Sequence, residues 1–504
     1  MNTSGREPTL LQSVFPLVAM FVILMGGRLY LDYRIEPLIL CSAVIAGFMA
    51  WYLRCQWQQL EEAILNKINV AMQGMLIIFS VGCMVGAWMF CGTVPFMVYW
   101  GLELVNPNYM LLSAFLICAL TSCCTGTSWG SAATIGVAMI GIAHGLGIPL
   151  APVAGAALSG CYVGDKLSPL SDTTNLAPAV AGATTYEHIG HMFYTTIPGT
   201  ILCCIVFFFA SSSVTGELHT PAQVQDFMNQ LTEIYKLHFL LAVPPLLLIT
   251  GSILRWPILP TIILTTILSV ALGCLLQGFD LRGGILSTTT GFKVSMTHYL
   301  ATPTESVQTL LNRGGMMGVL ENMGMLCVAM AFGGIMHGSG MLTVVLQKML
   351  KRVRSDGGLI ASTLLSCVVL CFSTGSAYMG ILIPGSLFKE SYLKRRLHPK
   401  NLSRALEDSA TMLDGAIPWA SGAVYMSGVL GVSAFEYVPW MVFNYSSVFI
   451  GLACAMLGIG IVKISAEDAK ERLEKGHSAK GTSGQEAPKQ EKGLLKKALK
   501  LFKK

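Results

Sequence analysis

Charge is scarce in this chain. Of 504 residues only 12% are Asp, Glu, Lys or Arg, about half the share found in soluble domains, which excludes an ordinary water-exposed globular protein. The 15 cysteines fall almost entirely within apolar stretches, as in Cys123-Cys124, Cys203-Cys204 and Cys367 with Cys371. None has zinc-like spacing, so they read as small buried hydrophobes. No Lys-Ser/Thr phosphate signature follows Gly333-Gly334, Gly338 and Gly340, so these glycines mark close helix packing, not a nucleotide loop. There is no nucleophile and base constellation, which argues against an enzyme. Nothing indicates a cofactor or a nucleic-acid partner.

Apolar residues are abundant, at 53% with mean hydropathy +0.62. Stretches near the spanning length of about 20 residues run from Leu10 to Leu31, Pro37 to Leu53, Ala71 to Phe90, Tyr194 to Ala210, Leu237 to Ile253, Pro257 to Leu276 and Val438 to Val462. The first has a weak basic flank and lacks a small-residue cleavage site, so it reads as a retained span rather than a secretory signal. The expected fold is an all-α polytopic membrane protein. Lys351-Arg352-Val353-Arg354, the Lys394-Arg395-Arg396 cluster with Lys400 and Arg404, and the tail after Lys463 should face the cytoplasm, with both termini. Ser211 to Lys236 holds one basic residue and suits the outside. Beyond Ser465 the chain reads as disordered, ending in a basic amphipathic segment from Gly493 to Lys504 that suits either an anionic leaflet or a merely solubilising tail.

The second half repeats the first at an offset of 249 positions, the separation of Asp165 and Asp414. The same offset pairs Thr125-Gly126 with Thr374-Gly375, Pro169 with Pro418, Gly182 with Gly431 and Glu187 with Glu436. The matches are helix breakers and intramembrane carboxylates. The loop Ala143 to Pro149 has no Lys or Arg while its counterpart near Leu393 to Lys400 is strongly basic, so the repeats should have inverted topology. The expected organisation is a first transport repeat over 1–210, an external linker over 211–236, a second repeat over 237–463 and a cytoplasmic tail over 464–504.

Each repeat should hold a re-entrant hairpin and a broken transmembrane helix, beside about five spans. The hairpins turn at Thr125-Gly126-Thr127-Ser128 and Ser373-Thr374-Gly375-Ser376, each between two half-length apolar stretches. The alternative is a pair of ordinary kinked spans. The broken helices are interrupted at Ser168-Pro169-Leu170-Ser171-Asp172 and at Gly415-Ala416-Ile417-Pro418, because proline removes a backbone donor and frees carbonyls. Irregular backbone at bilayer depth survives only beside a cavity or buried protein.

The run from Gly164 to Asn175 and the stretch Thr125-Gly126-Thr127-Ser128-Trp129-Gly130-Ser131, with Leu406-Glu407-Asp408 and Ile417-Pro418-Trp419 in the second half, resemble the NhaC-type sodium/proton antiporter family within the wider ion transporter superfamily. The resemblance covers roughly Gln73 to Pro198 and Glu321 to Tyr445. It implies an inverted-repeat secondary transporter of the cytoplasmic (inner) membrane. Family members exchange sodium for protons, while relatives couple ions to organic acids such as malate and lactate. Sodium and protons are thus the expected cargo, small carboxylates the alternative, and a homodimer a candidate assembly.

Asp165 and Asp172 are the leading sodium ligands, because an intramembrane carboxylate holds sodium or a proton in competition. The competing roles are an ion pair with Lys166 or a distant arginine for Asp165, and capping of the resumed half-helix for Asp172. Ser168, Ser171, Thr173 and Asn175 would complete an oxygen shell. Asp408 and Asp414 are second-half candidates, and Glu407 is expected at the basic entrance. Glu187 and Glu436 are expected as caps or interfacial groups, and Glu321 at an entrance. His188 and His191 read as interfacial residues and His337 as a satisfied helix-packing residue, with a proton relay as the alternative for all three.

Overall fold

The computed structural model describes residues 6–31, 33–214, 221–351 and 353–481. Among them the secondary structure is helical apart from one isolated bridge between Leu397 and Lys463. Nine helices are long and apolar enough to cross a membrane, or up to 11 when two bent pairs each count as one span. The chain is a multi-pass membrane protein. Its outer spans show why: the apolar windows at Leu10–Gly27 and Ile35–Tyr52 are only 28% and 33% buried, leaving Phe15, Phe21, Leu40, Val44 and Phe48 exposed. An apolar face of that extent is stable against lipid, not water. The core instead gathers Gly74–Cys91 and Ser128–Leu146, whose windows are 72% and 83% buried.

Local structure repeats at the same 249-residue offset. Thr127 and Ser376 start helices with φ/ψ of −146/127 and −145/123. Pro149 and His398 do so at −52/128 and −62/138, and Ser171 and Ala420 at −70/138 and −78/155. Helices starting at Thr185 and Ala434 follow in turn. Sparse side-chain identity therefore hides a closely repeated set of starts and stops, because caps depend on a few breaker residues rather than on the apolar filling between them.

The first hairpin is Met110–Thr125 followed by Ser128–Ser131, a π-helical turn over Ala132–Gly136 and Val137–Leu146. The second is Asp356–Thr374 with Ala377–Lys394. Arms of 16, 19 and 18 residues are longer than the expected half-length stretches, reaching about 24 Å or more at 1.5 Å per residue. Hydroxyls at i−4 explain the extra length. Ser373 and Thr374 bond Val369 O and Leu370 O at 2.7 and 2.6 Å, so polar residues read as loop continue the helix to its last turn. Each first arm stops at a left-handed glycine, Gly126 (φ 73) and Gly375 (φ 60), a conformation costly for a residue with a Cβ.

The first broken helix is Leu150–Leu167 and Asp172–Ala181. The second is Pro399–Leu406, a π-helical turn over Glu407–Thr411, Met412–Asp414 and, beyond the break, Ser421–Leu430. Gly164 lets the first lie backbone-to-backbone on its hairpin, since a Cβ there would overlap the main chain at Ser122-Cys123. Three basic segments meet at one end of the molecule: Arg395 donates to Val353 O and Arg354 O at 3.2 Å, and Ile464 N bonds Arg396 O. The linker expected over 211–236 is partly helical, with Pro221–Ile234 burying Phe227, Met228, Leu231 and Ile234. The tail does not start as disordered chain. Ala466–Gly481 is a helix, with Arg472 bonded to Asp468 at 2.9 Å and to Gly182 O at 3.2 Å. The basic segment from Gly493 to Lys504 lies outside the described residues.

Candidate ion-binding site

Asp165 sits in the last turn of Leu150–Leu167, buried where the first hairpin tip meets the helix break. Ser128 Oγ donates to its Oδ2 at 2.7 Å and Ser171 Oγ to its Oδ1 at 2.6 Å, while Thr174 Oγ1 bonds its main-chain carbonyl. The carboxylate therefore holds two hydroxyls from two elements and, among the described residues, forms no ion pair. The pairing with Lys166 that sequence adjacency allows does not form. Residues one apart on a helix point about 100° from each other, and Lys166 reaches away to Asp408.

The break residues close around this carboxylate. Leu170 N bonds Ser168 Oγ at 3.3 Å, Asn175 Nδ2 bonds Pro169 O and Ser171 O at 2.8 and 2.7 Å, and Ser171 and Thr173 hydroxyls lie 3.2 Å apart. Ser171, not Asp172, is the N-cap of the resumed half-helix, and its hydroxyl serves Asp165 rather than the cap. Asp172 is exposed in the helix's first turn. At the tip Thr125 Oγ1 lies 2.9 Å from Ser131 Oγ, and Thr127 caps the following turn.

The second half builds a similar corner. Ser421 Oγ donates to Asp414 Oδ1 at 3.1 Å, Ser421 N bonds Gly375 O at 2.9 Å, and Trp419 Nε1 bonds Phe372 O at 2.8 Å. Both corners open into one cavity of about 530 Å³, lined by Thr125–Ser128, Asp165, Ser171–Thr173, Asn175, Ser376 and Asp414. Ser168, Ser373, Thr374 and Gly375 are not among the residues that line it.

Asp408 lies elsewhere. Its Oδ1 accepts from Lys166 Nζ at 2.6 Å and Thr195 Oγ1 at 2.7 Å, and Oδ2 is 4.0 Å from Arg404 Nε. Lys166 also bonds Ser447 Oγ at 2.6 Å. Each of these charges is about 1% exposed or less, so the group is a buried ionic tie between the two halves. Glu407 is fully buried with both carboxylate oxygens unpartnered, not placed at an entrance. His188 and His191 are likewise buried rather than interfacial, His188 Nδ1 lying 2.9 Å from Ser403 Oγ. His337 is not satisfied, because its Nδ1 has no partner. Glu187 caps its helix through Thr184 N at 2.9 Å, and Glu321 pairs with Arg34 at 2.9 Å.

Residues 160–459 match the model of the Na+/H+ antiporter family. An uncharacterized Na(+)/H(+) antiporter of Haemophilus influenzae is 39% identical over 91% of this chain and 98% of its own length. The Malate-2H(+)/Na(+)-lactate antiporter of Bacillus subtilis is 33% identical over 89% of this chain and 94% of its own. The Na(+)/H(+) antiporter NhaC of Alkalihalophilus pseudofirmus is 33% identical over 85% of this chain and 91% of its own. This chain belongs to the Na+/H+ antiporter family. Membership makes it a membrane transporter rather than an enzyme, and the NhaC resemblance drawn from the two polar motifs holds.

In this family member Trp129, part of the first polar motif, stacks on Tyr425 with ring centroids 4.1 Å apart, and Tyr425 Oη donates to Trp129 O at 2.9 Å, joining the first tip to the second broken helix. Other cavity residues lie outside the motifs. Tyr162 and Tyr378 line the cavity, Tyr162 with an unpartnered hydroxyl. Tyr162 had a usable signal, lying three residues before Asp165 on the same helix face. Lys67 and Arg255 also reach the cavity wall. They come from outside both motifs, so no local pattern connects them to it.

Proposed function

We propose that this protein exchanges sodium for protons across the cytoplasmic membrane, with Asp165 as the carboxylate for which the two cations compete. The observation that carries the reading is the setting of Asp165: a buried carboxylate at a cavity wall, with hydroxyl donors on both oxygens and, among the described residues, no ion pair of its own. Such a group is completed by a cation or a proton, because an isolated buried charge is very costly. Sodium is a hard cation suited to carboxylate and hydroxyl oxygens, here Ser128, Ser171 and Thr173, with Asp172 next along the wall. Asp414 with Ser421 would be the second-half counterpart, and no cofactor is needed beyond the transported ions. In this reading the two repeats are inverted, both termini and the basic end lie in the cytoplasm, and the tips and breaks are exposed alternately to the two sides. Small carboxylates are the alternative cargo and a homodimer the candidate assembly. The test uses purified protein in proteoliposomes, following radioactive sodium and internal pH together. Asp165→Asn should abolish sodium-driven proton movement while the protein inserts and stays monodisperse. Native exchange by that variant would refute the assignment.

A further inference from the structure

Glu407, Thr411 and Asp414 stand at i, i+4 and i+7 in the second broken helix and so share one face. Thr411 and Asp414 line the cavity, and Glu407 is the next position along that face. Glu407 is 0% exposed and Thr411 2%. Neither carboxylate oxygen of Glu407 has a hydrogen-bond partner, and neither has the Thr411 hydroxyl. The cations nearby are committed elsewhere: Lys166 Nζ lies 2.6 Å from Asp408 Oδ1, and Arg404 Nε lies 4.0 Å from Asp408 Oδ2. Among the described residues Glu407 forms no ion pair. A buried carboxylate left in that state is strongly unfavourable.

Oxygens nevertheless gather around it. The hydroxyls of Thr411 and Thr173 face the carboxyl without closing a hydrogen bond to it, and Thr173 Oγ1 lies 3.2 Å from Ser171 Oγ, which donates to Asp165. Asp165 is near enough for the two carboxylates to repel each other. A proton on Glu407 would need an acceptor, and among the described residues no oxygen stands at hydrogen-bonding geometry to take it. A hard cation makes the opposite demand: oxygens ranged about a centre that they do not fill themselves. One carboxylate with two hydroxyls supplies a single negative charge, which matches a monovalent ion. The first half has no such group. At the 249-residue offset Leu158 stands opposite Glu407 and Tyr162 opposite Thr411, in a helix that stays α-helical from Leu150 to Leu167. The second half instead has the π-helical turn over Glu407–Thr411, a distortion common at functional sites. Carboxylate and π turn are thus additions to the shared framework, separate from the Asp165 and Asp414 corners.

We propose that Glu407, with the hydroxyls of Thr411 and Thr173, is a second sodium site, reached from the cavity past Thr411 and joined to the Asp165 site through the Thr173 and Ser171 hydroxyls. This deepens the exchange reading and rests on it for the first site. The test is equilibrium binding of radioactive sodium to the purified full chain in detergent, counted per polypeptide. The wild type should bind two sodium ions, Glu407→Gln and Asp165→Asn one each, and the double variant none. The ion kept by Glu407→Gln should bind with near-native affinity, which a merely structural role for the carboxyl would not preserve, and Glu407→Asp should restore part of the second site. If Glu407→Gln does not fold, Thr411→Val carries the test, because loss of a hydroxyl ligand to a charged group should weaken one of the two sites about tenfold and leave the other unchanged. A wild type that binds a single sodium ion would overturn this proposal and leave Asp165 in place. Two sodium ions still bound by Glu407→Gln, or two unchanged affinities in Thr411→Val, would overturn it as well. Wild-type protein that binds no sodium would instead refute the exchange reading on which the proposal rests.

Discussion

Asp165 and Lys166 are adjacent in the chain and serve different neighbours. The helix turns Asp165 toward Ser128 and Ser171 and Lys166 toward Asp408, Thr195 and Ser447. Among the described residues the carboxylate is thereby left without a fixed counter-cation, the condition that the proposed exchange at Asp165 requires. Its hydroxyl partners are testable one at a time. Ser128→Ala and Ser171→Ala should each raise the sodium concentration for half-maximal exchange by about tenfold, since a hydrogen bond to a charged group is worth about 1.5–3 kcal/mol. Ser128→Thr should retain most of the affinity by keeping the hydroxyl. Radioactive sodium uptake over a concentration series checks both, and an unchanged half-saturation in either alanine variant would remove that residue from the ion shell.

Hairpin tips depend on backbone conformations that only a few residues accept. Gly126 and Gly182 both have positive φ, 73° and 89°, but their surroundings differ. A Cβ at Gly126 would collide with Leu170 and crowd Ser168 Oγ, whereas one at Gly182 would meet only the flexible end of Lys389. Both alanine variants bear the left-handed cost of about 1–2 kcal/mol; Gly126→Ala adds a steric displacement of the break. It should therefore lower the melting temperature in detergent more than Gly182→Ala and abolish exchange, while Gly182→Ala should remain active. Equal losses of stability and transport would show that the tip is not pressed against the break. The π-helical turns beside the site make a related point. They fall in the hairpin at Ala132–Gly136 of the first half and in the broken helix at Glu407–Thr411 of the second, so the halves share caps but differ inside their helices.

Across the whole molecule, contacts between the halves join the same elements that form the cavity. Lys166 to Asp408 spans 242 positions and Tyr425 to Trp129 spans 296. Lys389 donates to Val180 O at 3.2 Å, bringing the second hairpin to the first broken helix. Removing one member of a buried ion pair costs about 3–5 kcal/mol, whereas replacing both with apolar residues of similar volume is often neutral. Lys166→Met and Asp408→Leu should each reduce thermal stability strongly, and the double variant should recover much of the loss. Arg404 near Asp408 makes that recovery incomplete, because the double variant leaves its guanidinium without the carboxylate. Melting temperatures of the four proteins in one detergent check this, and additive losses would rule out a direct pairing of Lys166 with Asp408.

Composition alone decided that the chain is a multi-pass helical membrane protein, because an apolar excess with spanning-length runs has no stable alternative in water. Breaker residues at a fixed offset located the hairpin tips and helix breaks, since Gly and Pro act on the backbone where they stand. The polar run likewise singled out Asp165, Ser171 and Thr173, which line the cavity. What the sequence left open was partner choice among buried charges. Lys166 beside Asp165 and His188 near a span end had several local readings, and only packing between distant elements selected one, while Glu407 beside Asp408 was buried with neither oxygen bonded. Lys67 is the extreme case: its place on the cavity wall and its lack of a hydrogen-bond partner among the described residues are properties of three-dimensional proximity that no one-dimensional spacing encodes.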